Sequence, residues 1–406
     1  MEEAGILEKI TRSGFCYPAL NQVQVYRYAV ECCQPHLKLR DAKRVTARML
    51  LTILFAAAAR ISSLSDTCKR LRGVPDEEVV AAALYETLPD YNLLKRRVNA
   101  ALAGHLPKPL RKQAQIVAFD LTLLPFYGAD AKENDQIYRS QAKRGTCSFY
   151  AYASAYIVHK GQRYTVALMA VTRKPTMEDV TKELLRQVRK AGIHVRFLVL
   201  DRGFYSVAVI RYLQAARMPF LMPVVGHGRK PDHPLGPSGS QVFKAMKRSG
   251  WFEYTLSDPR KRTATVQICV KCRNRRGARG KKGREPWIYA YWGIGPKRFD
   301  WVKDTYRSRF GVETSYRQMN QCRIRTTTPR FAVRFLYVAI GFLMRNLWVW
   351  LHYAVLSSPH RGCRRYNLDR LTLRTMLLWL QEVAFSMYEL VKIALCERSV
   401  PERLTC

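Results

Sequence analysis

Two apolar runs, each closing on an aspartate, constrain this chain more than anything else in it. Ile116-Val-Ala-Phe-Asp120 and Val195-Arg-Phe-Leu-Val-Leu-Asp201 read as buried strands, because short runs rich in β-branched and aromatic residues suit a strand covered on both faces. Residues 149–159 and 163–172 are β-rich and separated by the turn Lys160-Gly161, and residues 177–191 have the spacing of an amphipathic helix. After Asp201 come a second helix over 206–216 and a third core strand over 220–223. Strands mixed with helices in this order predict an α/β domain with a mixed sheet and two carboxylates at one end of it.

The flanking segments have a different texture. Residues 1–108 read as an all-helical N-terminal domain. An apolar helix covers 45–59, Ser65 is placed to cap a short helix ending at Leu71, Gly73-Val-Pro75 makes a turn, and Asp76-Glu-Glu78 opens another helix with acids at its positive end. Helix, glycine turn, helix is the outline of a helix-turn-helix, with Lys69, Arg70, Arg72, Lys95, Arg96 and Arg97 as its basic material. Any small helical bundle gives the same outline, so DNA reading and assembly both stay open for this region. Residues 226–298 read as a basic, β-rich insertion, with strands over 251–256, 263–272 and 287–292. Sixteen Lys/Arg face four Asp/Glu between 226 and 285, concentrated in a loop that carries Arg273, Arg275, Arg276, Lys281 and Lys282. So dense a patch of one sign predicts an electrostatic contact. The catalytic core is expected over 109–225 and 299–358, and a C-terminal helical segment over 359–406.

Charge narrows the partner. The 406 residues include 69 Lys/Arg against 31 Asp/Glu, a formal +38, which points to a polyanion. The most apolar stretch, 335–356, contains Arg345, Asn346 and His352 and so reads as a core helix rather than a membrane span. The opening Met1-Glu-Glu-Ala lacks the form of a signal peptide. The expectation is a protein that works on double-stranded DNA, without a membrane. The eleven cysteines show no repeating spacing and are expected as free thiols. Cys269-Val-Lys-Cys272 has half a zinc-site spacing but no second pair of ligands near it in sequence.

The chemistry comes from a third segment. Tyr306, Arg309, Glu313, Arg317 and Asn320 are three or four residues apart and align on one face of a helix expected over 306–323. Asp304, near its expected start, complements the helix dipole. Glu313 would join Asp120 and Asp201. Three converging carboxylates repel one another unless a cation sits among them. Hard divalent ions take oxygen ligands, and two of them can clamp an in-line displacement at phosphorus.

Phe119-Asp120-Leu-Thr122, Leu200-Asp201-Arg202-Gly-Phe-Tyr205 and Tyr306-xx-Arg309-xxx-Glu313 resemble the three conserved blocks of insertion-sequence transposases with a DDE triad, in the branch with a Tyr-Arg-Glu-Lys signature. The resemblance covers about 113–350. It implies an RNase H-like mixed sheet with flanking helices, interrupted by a β-rich insertion, and Mg²⁺ or Mn²⁺ held by Asp120, Asp201 and Glu313. It further implies DNA contacts by Tyr306 and Arg309, terminal inverted repeats and target DNA as partners, and a homodimer or larger synaptic assembly. A cytoplasmic, nucleoid-associated location in a prokaryote goes with it. Water would attack first, and the freed 3′-hydroxyl would then attack target DNA. Where the family has its lysine, this chain has Asn320; Arg317 or Arg323 is then the substitute cation. Arg202, beside Asp201, joins the expected DNA contacts. A metal-dependent nuclease of the same fold and an inactive DNA-binding relic are the rival readings.

Overall fold

The computed structural model describes residues 20–128, 134–159, 163–274, 284–296, 298–309, 318–361 and 363–391. Among the described residues six helices precede the sheet: α1 (Gln22–Leu37), α2 (Ala47–Arg60), α3 (Leu64–Lys69), α4 (Glu77–Thr87), α5 (Tyr91–Gly104) and α6 (Lys108–Lys112). The strands that follow are β1 (Gln115–Pro125), β2 (Tyr138–Lys143), β3 (Thr146–Ile157) and β4 (Thr165–Val171). Next come α7 (Met177–Lys190), β5 (Val195–Leu200), α8 (Val207–Ala215) and β6 (Phe220–Pro223), and then β7 (Gly250–Ser257), β8 (Thr263–Asn274) and β9 (Arg284–Trp292). The chain continues through α9 (Phe299–Ser308), α10 (Phe331–Leu351) and α11 (Leu373–Tyr388).

These nine strands form one mixed sheet, and Ser358–His360 and Cys363–Arg365 pair as a separate small antiparallel ribbon. β3 carries β1 on one edge and β2 and β4 on the other, all antiparallel. β1, β5 and β6 run parallel, while β9, β8 and β7 extend the sheet antiparallel from β6. The basic β-rich segment is thus continuous with the core sheet through backbone hydrogen bonds. β2 lies in a stretch to which the sequence reading assigned no element. Its side chains are mostly exposed, so it lacks the apolar alternation that marks a strand.

Strand alternation sorts the two faces. Val117, Phe119, Leu198 and Leu200 pack in the core that contains Leu184 and Val188 of α7 and Ile210 of α8. Ala118, Phe197 and Val199 face Val302 and Tyr306 of α9. Tyr150, Tyr152 and Leu168 join the core of α1, α2, α5, α10 and α11. The N-terminal helices therefore share one apolar core with the helices that follow the sheet. α3 is capped by Ser63, whose hydroxyl accepts from Asp66 N at 3.0 Å, and not by Ser65, which instead donates to Glu77. The turn after α3 is bridged to the chain after α11: Arg72 N donates to Glu389 O and Gly73 N to Tyr388 O. Helix α10 and the residues just after it, Phe331–Leu356, are long and apolar enough to cross a membrane, yet 83% of the most apolar window is buried inside the protein. Its polar residues are bonded: Arg345 donates to Arg163 O and Gln318 Oε1.

The outer edge of β4 is closed by side chains rather than by another strand. Asn99 accepts from Leu168 N and donates to Leu168 O. Asn346 does the same at Thr165, and Tyr91 accepts from Ala170 N. An uncovered strand edge invites pairing with another chain, so these groups fix the helices on the sheet and blunt that edge together. Replacing Asn346 by Leu leaves a buried N–H and a buried C=O without partners, and the expected loss is about 2–4 kcal/mol. Denaturant unfolding measures it; a loss below about 0.5 kcal/mol contradicts this account of the edge.

Candidate functional site

The pairing of β1 with β5 builds the site. Ala118 lies opposite Val199 and Phe119 opposite Leu200, so the next residue of each strand, Asp120 and Asp201, fall side by side on the α9 face. The sequence reading ended the first strand at Asp120, whereas β1 runs on to Pro125 because Leu121 to Pro125 keep pairing with β3. It is β5 that stops here. Asp201 immediately precedes the short helical turn Arg202–Phe204, which is closed by Phe204 N donating to the Asp201 backbone O at 3.0 Å. Phe204 is fully buried below the turn and anchors the loop on the apolar side of the sheet.

Arg309 comes to these carboxylates from the end of α9. Its Nη1 is 3.2 Å from Asp120 Oδ1 and its Nη2 is 3.3 Å from Asp201 Oδ1. The side chains of Arg309 and Asp120 are 8% and 10% exposed, and that of Asp201 is 36% exposed. Arg309 O accepts from the Tyr156 hydroxyl at 3.0 Å, and the guanidinium lies 5.2 Å from the Tyr306 ring centroid. Burial disfavours the charge on Arg309, but Tyr306, Asp120 and Asp201 outweigh it and hold the group above its ordinary pKa. Burial also raises the Tyr306 phenol above its usual range, with Arg309 pulling the other way. Tyr306 packs on Tyr289, with ring centroids 5.0 Å apart.

Tyr306 and Arg309 were expected to face DNA. They are instead buried in the protein, each 7% exposed, and Arg309 is ion-paired to both aspartates. Regular helix ends at Ser308. Glu313 and Arg317 lie outside the described residues, as do Arg275, Arg276, Lys281 and Lys282. Arg273 is placed only as a residue of β8. Asn320 and Arg202 are exposed, and Arg323 is half-buried at a cavity mouth. Asp304 does not open the helix. It sits in the middle of α9, 3.3 Å from Lys303, while Asp300 occupies the first turn. Cys269 is buried, and its thiol is pushed up to about 12 by burial; Cys272 Sγ donates to Met246 O.

Two features suit a divalent cation here. The paired carboxylates are hard oxygen donors that already hold one cation, the Arg309 guanidinium. Thr122 Oγ1, two residues along β1 on the same face, is buried with no hydrogen-bond partner among the described residues. Among those residues no group of three metal-binding side chains forms, and a third ligand has to come from elsewhere. The inward role of Arg309 was missed in the sequence, because a three-four spacing gives the face of a helix and not what that face meets. Also missed were Arg325, Arg334, Tyr150 and Tyr152, which line a cavity with Arg323. The closely spaced Arg323-Ile-Arg325 was the available signal.

A family model described as "Transposase DDE domain" matches residues 111–347, more than half of the chain. No curated protein matches it in sequence. Among solved structures, the chain is similar to the piggyBac transposase in the cryo-EM structure of its synaptic complex with hairpin DNA. The TM-score is 0.50 at 12% sequence identity, over 93% of this chain and 82% of that one. That likeness speaks for the fold alone.

Proposed function

The chain belongs to the transposase DDE domain family, and from that premise we propose that it is a DNA transposase of the branch with a Tyr-Arg-Glu-Lys signature, which cleaves element ends and joins them to target DNA. The observation that carries this reading is the pairing of Asp120 with Asp201 around a buried cation at the end of β5, in a chain with a formal +38. An RNase H-like core is supported by the strand order β4-β3-β1-β5-β6, antiparallel for the first three and parallel from β1 onward.

Asp120, Asp201 and Glu313 would hold Mg²⁺ or Mn²⁺. Such ions lower the pKa of the attacking hydroxyl and stabilise the leaving oxygen. The work of the chain's own residues is positioning. Tyr156 and Tyr306, the latter packed on Tyr289, fix Arg309, and Arg309 keeps the two carboxylates close and neutralised until they are needed. Exposed Arg202 stands next to Asp201, where a phosphodiester entering the site would pass. Arg273, Arg275, Arg276, Lys281 and Lys282 of the basic segment would grip DNA beyond the cleaved bond, with Arg317, Asn320 and Arg323 nearer to it. Holding two element ends calls for a dimer or a larger synaptic assembly.

The test is a joining assay with the full chain, Mg²⁺, a supercoiled target plasmid and a linear DNA ending in the inverted repeats that flank the gene. Covalent joining of that DNA to the plasmid is expected. Cleavage without joining supports the nuclease instead, and binding without cleavage supports the relic.

A further inference from the structure

A cavity of about 500 Å³ opens on the same face of the sheet as the two aspartates. Its floor is Tyr150 and Tyr152 of β3, which pair with Leu124 and Thr122 of β1. These residues keep the parity of Asp120 and its partner Ser154. At roughly 7 Å for every two strand residues, Tyr152 lies about 7 Å and Tyr150 about 14 Å along the sheet from Ser154. The mouth carries Arg323, Arg325 and Arg334, and among the described residues no Asp or Glu lines it.

Three guanidiniums around one space repel one another; Arg323 and Arg334 are half-buried and Arg325 is exposed. None of them is in an ion pair with a carboxylate among the described residues. Burial and the like charges of Arg325 and Arg144 pull the pKa of Arg323 down. The cluster is nevertheless held in place. Arg334 lies 4.0 Å from the Tyr150 ring centroid and donates to Thr327 O at 3.1 Å, while its buried Nε has no partner among the described residues. Arg325 N donates to Ser62 O at 3.0 Å, and Thr326 Oγ1 accepts from Thr328 N. Just before this loop, Cys322 Sγ is bonded to Gly341 O in the middle of α10. A cluster of like charges carried by an anchored loop and helix, with no counter-ion among the described residues, is a ready anion site. Tyr150 and Tyr152 are 7% and 3% exposed, so they offer no open ring on which a base can stack. The recognised group is therefore a phosphate and not a nucleobase.

We propose that this cavity binds a backbone phosphate of the DNA strand that leads to the Asp120–Asp201 pair, through Arg323, Arg325 and Arg334. The proposal rests on the transposase reading and adds to it a defined, sequence-independent grip about one or two phosphates from the reacting bond.

The test is equilibrium binding of the full chain to a fluorescent duplex of arbitrary sequence, without divalent metal, between 50 and 200 mM KCl. Each phosphate contact contributes about 0.9 to the slope of log K against log salt. The double variant Arg323→Gln/Arg325→Gln is expected to lower that slope by about 1–2 and the affinity by about tenfold at low salt. The equal-charge control Arg189→Gln/Lys190→Gln, on the α7 side of the sheet, should change the slope by less than half as much. Arg323→Lys/Arg325→Lys keeps the charge and should keep most of the slope, which separates phosphate binding from a folding defect. An unchanged slope in the Gln variant overturns the proposal. So does thermal stabilisation by 10 mM inorganic phosphate that the Gln variant loses while its DNA affinity stays at the wild-type value, since that marks a site for free phosphate. Failure of the transposase reading shows elsewhere, as DNA binding with an intact slope but no joining by the wild type in Mg²⁺.

Discussion

Asp120→Asn and Asp201→Asn each reduce joining by at least about 10³-fold and leave DNA binding within about twofold. The size follows from what is removed. A group aimed at charge that develops in the transition state is worth about 10²–10³ in rate, and a metal ligand also sets whether the ion stays at all. Binding survives because neither carboxylate attracts DNA; each repels it. Asparagine keeps the shape of the side chain and an acceptor oxygen for Arg309, so the fold is retained. Gel-shift and joining assays on the same preparations measure the two effects separately. Full joining activity in either variant overturns the assignment of the site.

Arg309→Met has the second large effect, and its sign depends on the metal. Without a divalent ion, the substitution takes the paired guanidinium away from Asp120, which is almost fully buried, and from Asp201 beside it. Breaking a buried pair in this way costs about 3–5 kcal/mol, and the partial exposure of Asp201 brings the expectation down to about 2–4 kcal/mol. A cation that binds only the folded state restores stability as RT ln(1 + [L]/Kd), about 2.7 kcal/mol at 100 times Kd. The variant therefore melts well below the wild type in EDTA, and the gap narrows as Mn²⁺ is added. The wild type gains less from Mn²⁺, because there the ion has to compete with the guanidinium. Equal melting temperatures in EDTA, or a gap that Mn²⁺ leaves untouched, contradict the idea that Arg309 stands in for the metal.

Much of this architecture was legible because it is written in local pattern. The strands over 116–120, 195–201 and 220–223 and the helices between them announce themselves by period and by caps. Thr176, for example, accepts from Asp179 N in a capping box at the start of α7. Even the three strands of the basic segment are found where expected. What the sequence hid is pairing. Nothing in Arg284–Trp292 announces that β9 adds to β6, and nothing in the N-terminal helices announces that Asn99 will cover the edge of β4. The site divides along the same line. Asp120 and Asp201 are marked by the apolar runs that deliver them, whereas the place of Arg309 between them depends on how α9 crosses the sheet. Glu313 is marked by spacing alone and lies outside the described residues. The arginine cavity draws its parts from Ser63 before α3, β1, β3, the loop at 323–327 and α10, five segments that only the tertiary fold brings together.

The claim that the Asp120–Asp201 pair is a metal centre is tested most directly by iron-mediated cleavage of the protein's own backbone. Fe²⁺ replaces Mg²⁺ at oxygen-ligand sites, and with ascorbate it generates radicals that cut the chain next to the bound ion. The account predicts cuts beside Asp120, Asp201 and Glu313, lost in Asp201→Asn and suppressed by excess Mg²⁺. Cuts confined to other segments, or cuts at these positions that persist in Asp201→Asn, would contradict it.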